Sequence, residues 1–97
     1  MSKRTLIVPA ALKEGKEAEF EKALKALIKA SRQEKGCLFY KVFRISDSRY
    51  TFFEEWENGV ALARHRAAPH YREFLQTTTP LLEDNLMYID LEEVEEE

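Results

Sequence analysis

The stretch "CLFYKVFRISDSRYTFFEEWE", Cys37 to Glu57, sets two runs rich in aromatic and β-branched residues on either side of a short polar turn. Such runs suit half-buried pleated strands, and "SDS" between them is short enough to close a hairpin. Upstream, "RTLIVPAAL" (Arg4 to Leu12) reads as a first strand, with Pro9 suited to an edge or a bulge. Between them, after a turn at Gly15, Lys16 to Glu34 place Phe20, Ala23, Leu24, Leu27 and Ile28 on one helical face, and Glu21 and Lys25 are spaced to pair on the solvent side. Gly36 then stops the helix.

Downstream of Asn58 and Gly59, helical spacing resumes from Val60 to Ala68 and breaks at Pro69, which opens a second short helix from His70 to about Thr78. "TTTP" ends it, and "LMYIDLEEV" (Leu86 to Val94) reads as a fourth strand. The order β-α-β-β-α-β, with its second helix split, predicts an α+β, ferredoxin-like fold: a four-stranded antiparallel sheet with helices on one face. Strands two and three carry large side chains on both faces, so a second copy of the chain is the simplest cover for the other one.

The 97 residues fit one domain, 1–97, whose residues 92–97, "EEVEEE", form an acidic tail. Without the five acids of that tail the net charge of −3 becomes +2, so the body has no basic excess to hold phosphates, and nucleic-acid and membrane partners are not expected. "KGCLFYKV" fails as an RNA-recognition signature, because Cys37 and Val42 stand where aromatic residues are required. One cysteine, no signal peptide and no apolar run long enough for a membrane span lead us to expect a cytoplasmic protein.

Alternation along strand three puts Tyr50, Phe52, Glu54 and Trp56 on one face. If that face lies under the helices, Glu54 is a desolvated carboxylate with a raised pKa, a candidate acid or base. His65 shares the inward stripe of Ala61 and Leu62, where a neutral imidazole can accept a proton. His70 falls in the first turn after Pro69, at a pocket rim. The spacing of five between the histidines, with a proline between, does not match two imidazoles on one helical face, and no second ligand cluster is evident, so no metal site is expected.

"GCLFYKVFR", "TFFEEWE" and "ALARHRAAPHYREF", in that register, resemble the antibiotic biosynthesis monooxygenase family over nearly the whole chain. The resemblance implies a dimeric α/β barrel, a homodimer joined sheet to sheet, with a pocket between sheet and helices. It implies an oxygenase of quinols or phenols that uses O2 directly, with a small-molecule substrate and no cofactor. It further implies His65 as the base, Glu54 as its orienting or proton-relay partner, and Trp56, Tyr40, Phe52, His70 and Tyr71 as the substrate-binding wall and rim. Heme-degrading relatives use a helix histidine where this chain has Leu75 and an asparagine on the first strand, whereas Asn58 is the earliest here, so heme is not expected. Relatives that process autoinducer-2 also look like "HRAAPHY", and the same His65 and Glu54 would there serve an isomerase. A non-catalytic dimeric ligand-binding module is the reading to prefer if side chains fill the space between Trp56 and His65.

Overall fold

A computed structural model describes residues 2–96. The elements run β1 (Arg4–Ala11), α1 (Glu17–Arg32), β2 (Cys37–Ser46), β3 (Arg49–Trp56), α2 (Gly59–Ala67), α3 (Pro69–Thr78), a 3-10 turn at Thr79–Leu81, and β4 (Ile89–Leu91). The antiparallel sheet has the order β2-β3-β1-β4 and is open within the chain. This is the expected α+β, ferredoxin-like arrangement.

Strand β1 is interior rather than an edge, yet Pro9 is tolerated because β4 pairs only with Thr5, Leu6 and Ile7. Beyond Ile7 one flank of β1 has no neighbouring strand, and a residue lacking an N–H costs no ladder bond on that side. The final strand is three residues rather than the nine of Leu86 to Val94. Two irregularities interrupt the β2–β3 ladder: Leu38 lies between the pairs Cys37–Trp56 and Phe39–Glu55, and Ile45 between Arg44–Tyr50 and Ser46–Arg49. Each is an extra residue on β2, a bulge that bends the strand.

The inner face of the sheet supplies Leu6, Val8, Ala10, Tyr40, Tyr50, Phe52 and Trp56, all buried against Phe20, Leu24 and Leu27 of α1 and Phe74 of α3. Glu21 does not pair along the helix; it turns toward the sheet, accepting hydrogen bonds from Arg44 and the Tyr50 hydroxyl. These two partners hold its carboxyl below the usual range. On the outer face Phe39 and Phe53 pack edge to face at 5.1 Å, and Phe43, Phe53, Ile89 and Leu91 remain exposed.

Helix α1 ends at Arg32, two residues sooner than its apolar pattern suggests, so Glu34 belongs to the turn. Arg32 Nε fixes that end to the sheet by donating to the Tyr40 carbonyl at 2.9 Å. Gly36 completes the turn at φ +89°, and a Cβ there would stand 2.6 Å from that of Ala61 on α2. Both the left-handed backbone and the close approach require glycine. The Asn58 side chain caps α2, accepting from the Ala61 N–H at 2.9 Å. Pro69 opens α3 from an extended Ala68 (ψ 144°), so α2 and α3 are separate helices meeting at an angle.

Candidate active site

The close packing of Gly36 on Ala61 brings the turn after α1 against the start of α2, and Glu34 thereby reaches both histidines. One carboxylate oxygen, Oε2, lies 2.7 Å from His65 Nδ1 and 2.7 Å from His70 Nε2. A carboxylate only accepts, so each imidazole donates, and a neutral His65 must then carry its lone pair on Nε2. That atom is buried without a partner. Burial holds the His65 pKa below its ordinary value, against the hydrogen bond and charge of Glu34, so the ring is neutral around pH 7. The result is an oriented imidazole with a free acceptor.

The partner that orients His65 is therefore Glu34, not Glu54. Glu54 instead accepts from Trp56 Nε1 at 2.8 Å. It is 4% exposed on the inner face of β3, and burial pushes its pKa up to about 7, with the Trp56 hydrogen bond opposing the shift. Its folded pKa exceeds the unfolded value of 4.5, so the folded state binds more protons between those values and loses stability as pH rises through that window. Glu54→Gln keeps an acceptor for Trp56 and removes the buried charge. It is expected to raise stability by ~2 kcal/mol at pH 8 and by little at pH 4, read from urea melts across pH. An equal effect at both pH values would rule this account out.

The remaining candidates lie as follows. The Trp56 and His65 rings are in contact, 4.5 Å between centroids, with Tyr71 at 4.7 Å and Tyr40 at 5.4 Å from the same imidazole. Tyr40 Oη is a second buried atom without a partner, and desolvation raises its pKa well above the usual value. Tyr71 shares a hydroxyl hydrogen bond with Tyr88, over which Arg66 stacks at 4.6 Å. Phe52 sits deeper, between Tyr40 and Phe74, as part of the core. His70 is partly open, its side chain 30% exposed, and with Lys22, Ala23, Leu27, Glu73 and Phe74 it lines a groove of about 510 Å³ between α1 and α3. Burial raises the Cys37 thiol pKa, which suits a packing residue rather than a nucleophile.

Pro69 turns α3 so that His70 comes beside Glu34, a proximity that the spacing of the two histidines along the chain does not show. Among the described residues, Glu34, His65 and His70 each offer a ligand atom, all within 4.8 Å of one another.

The model of the antibiotic biosynthesis monooxygenase family matches residues 5–77. The chain belongs to that family. The match covers β1 through α3, including Glu34, Glu54, Trp56, His65 and His70. The uncharacterized protein sll1783 of Synechocystis is 34% identical over 73 residues, covering 73% of this chain and 50% of that protein. The solved structure of Rv0793 from Mycobacterium tuberculosis superposes with a TM-score of 0.90 at 25% identity, covering 98% of each chain. The mouse N-terminal EF-hand calcium-binding protein 1 is 32% identical over 66 residues, which are 67% of this chain and 19% of that protein. The chain thus spans half or less of the length of the Synechocystis and mouse relatives.

Proposed function

We propose that this protein is a monooxygenase that oxidises a quinol or related phenol without a bound cofactor, with His65 as the base. The observation that carries the reading is His65 itself, pinned through Nδ1 by Glu34 and presenting an unpartnered Nε2 in a dry aromatic cluster. His65 Nε2 takes the phenolic proton, and the electron-rich anion bonds through carbon to O2. Protonation of the peroxide and loss of water leave a carbonyl at that carbon. The substrate supplies all the electrons, one oxygen atom stays in the product, and the other leaves as water. Glu54, with a pKa of about 7, is the group able to return a proton at neutral pH. Because Trp56 and Tyr71 lie directly against His65, substrate enters by displacing the Tyr71 and Tyr88 side chains.

The test is oxygen uptake by metal-stripped protein with a panel of hydroquinones and polyhydroxylated aromatics, with ¹⁸O2 to follow the label. We expect one labelled oxygen in the product. Turnover without oxygen uptake would replace the reading with an isomerase. A second reading, a non-catalytic binding module, is favoured by the direct Trp56–His65 contact and by the match inside an EF-hand protein. Binding of the same aromatics without turnover would establish it.

The outer face of the sheet fits a homodimer joined sheet to sheet, since Ile89, Ile7 and Phe53 stand in register across β4, β1 and β3, Phe39 packs on Phe53, and Phe43, Phe53, Ile89 and Leu91 are exposed on that face. Sedimentation is expected to give twice the chain mass of 11.4 kDa, and Phe53→Asp to give the monomer mass. A monomeric wild type would sink this assignment.

A further inference from the structure

The ring nitrogens and carboxylate that orient the base also form the donor set of a metal centre. Glu34 comes from the turn after α1, His65 from α2 and His70 from α3, and the backbone on all three sides is fixed independently of the side chains by Gly36 on Ala61, the Asn58 cap and Pro69. Two imidazoles and one carboxylate suit a divalent first-row transition ion, for which bonds of about 2.0–2.2 Å to each are usual. Such bonds at a tetrahedral angle hold ligand atoms about 3.3 Å apart. The nitrogen–oxygen separations are 2.7 Å and all three ligand atoms lie within 4.8 Å of one another, so small rotations of the Glu34 carboxylate and of the partly exposed His70 ring bring them to ligand spacing. Access comes from the His70 side, where the α1–α3 groove opens to solvent and Glu73 contributes negative charge.

We infer that Glu34, His65 and His70 bind one divalent transition-metal ion, of which zinc is the type, through Oε2, Nδ1 and Nε2. A ligand lone pair is needed at His65 Nδ1, so the bound ion moves the ring proton to Nε2. That is the atom assigned above to accept the substrate proton. Metal binding and proton abstraction therefore exclude one another at the same imidazole, and the ion inhibits. The inhibition rests on the base reading; the binding does not.

The experiment has two arms. In the first, metal-stripped protein is titrated with Zn²⁺ by calorimetry and with Co²⁺ by visible absorption, together with His70→Ala and Glu34→Gln. One saturable ion per chain is expected, with Co²⁺ bands of low-symmetry coordination, and at least tenfold weaker binding in both variants. His70→Ala removes a partly exposed side chain, so it tests the site even if the Glu34 variant folds poorly. No saturable binding by the wild type, or unchanged binding by His70→Ala, overturns the site. In the second arm, Zn²⁺ is expected to suppress oxygen uptake and a chelator to restore it. Binding without suppression overturns the exclusion. The readings fail separately: a wrong oxygenase reading leaves metal-stripped protein without uptake whatever zinc does, a wrong base assignment leaves uptake intact in His65→Ala, and a wrong metal site leaves the titration blank whatever the uptake.

Discussion

His65→Ala is expected to lower oxygen uptake on a verified phenolic substrate by about 10²-fold to 10⁴-fold, the range supplied by a positioned general base. Its reason is local. The imidazole is 1% exposed and packed by Trp56, Tyr40 and Tyr71, none of which offers a basic nitrogen. In the wild type, kcat/KM should rise with pH through a limb below the ordinary histidine value, because burial holds the His65 pKa down. That limb should vanish in the alanine variant, and added imidazole should restore part of the rate through the space left behind. Circular dichroism separates lost chemistry from lost fold. Full turnover in folded His65→Ala protein would end the base assignment.

Glu34→Gln is expected to cost almost as much, about 10²-fold to 10⁴-fold in kcat, the scale on which an imidazole loses the carboxylate that fixes its tautomer. Glutamine at this position can offer its amide N–H to His65 Nδ1. The ring proton then moves to Nε2 and the base is occupied by its own hydrogen. Loss of the Glu34 charge and hydrogen bond also lowers the His65 pKa further, since both raise it in the native protein. Nitrogen chemical shifts of the His65 ring would report the tautomer directly. A wild-type tautomer with wild-type rate in Glu34→Gln would show that the carboxylate merely packs.

The fold was legible because each element carries its own period. Tyr50, Phe52, Glu54 and Trp56 alternate and are all buried on one face, and Ala61, Leu62 and His65 form the inward stripe of α2. The break at Pro69 was equally plain. What period alone could not show was contact between elements distant in sequence. Glu34 stands 31 residues from His65 and 36 from His70, and in the sequence it is only the last residue of the expected first helix. One local signal was available: a carboxylate in the last turn before a glycine stop lies at the negative end of the helix dipole, where an acid is disfavoured unless something else holds it. Glu54 was less legible for another reason. Alternation made it buried only if the helices cover that face, as they do, and burial does not say which polar group it meets; the indole two residues on donates to its carboxylate.

The bulges at Leu38 and Ile45 bear on how a lone subunit survives. Strand β2 is the longest in the chain and forms one margin of the sheet, so its unpaired amides and carbonyls would template further chains into a growing stack. The extra residue near each end limits any straight register there to the segment between them, and leaves Leu38 and Ile45 exposed at 50% and 65%. Deleting either residue would straighten that margin, and the damage should appear first as inclusion bodies during expression, before any change in chemistry is measurable.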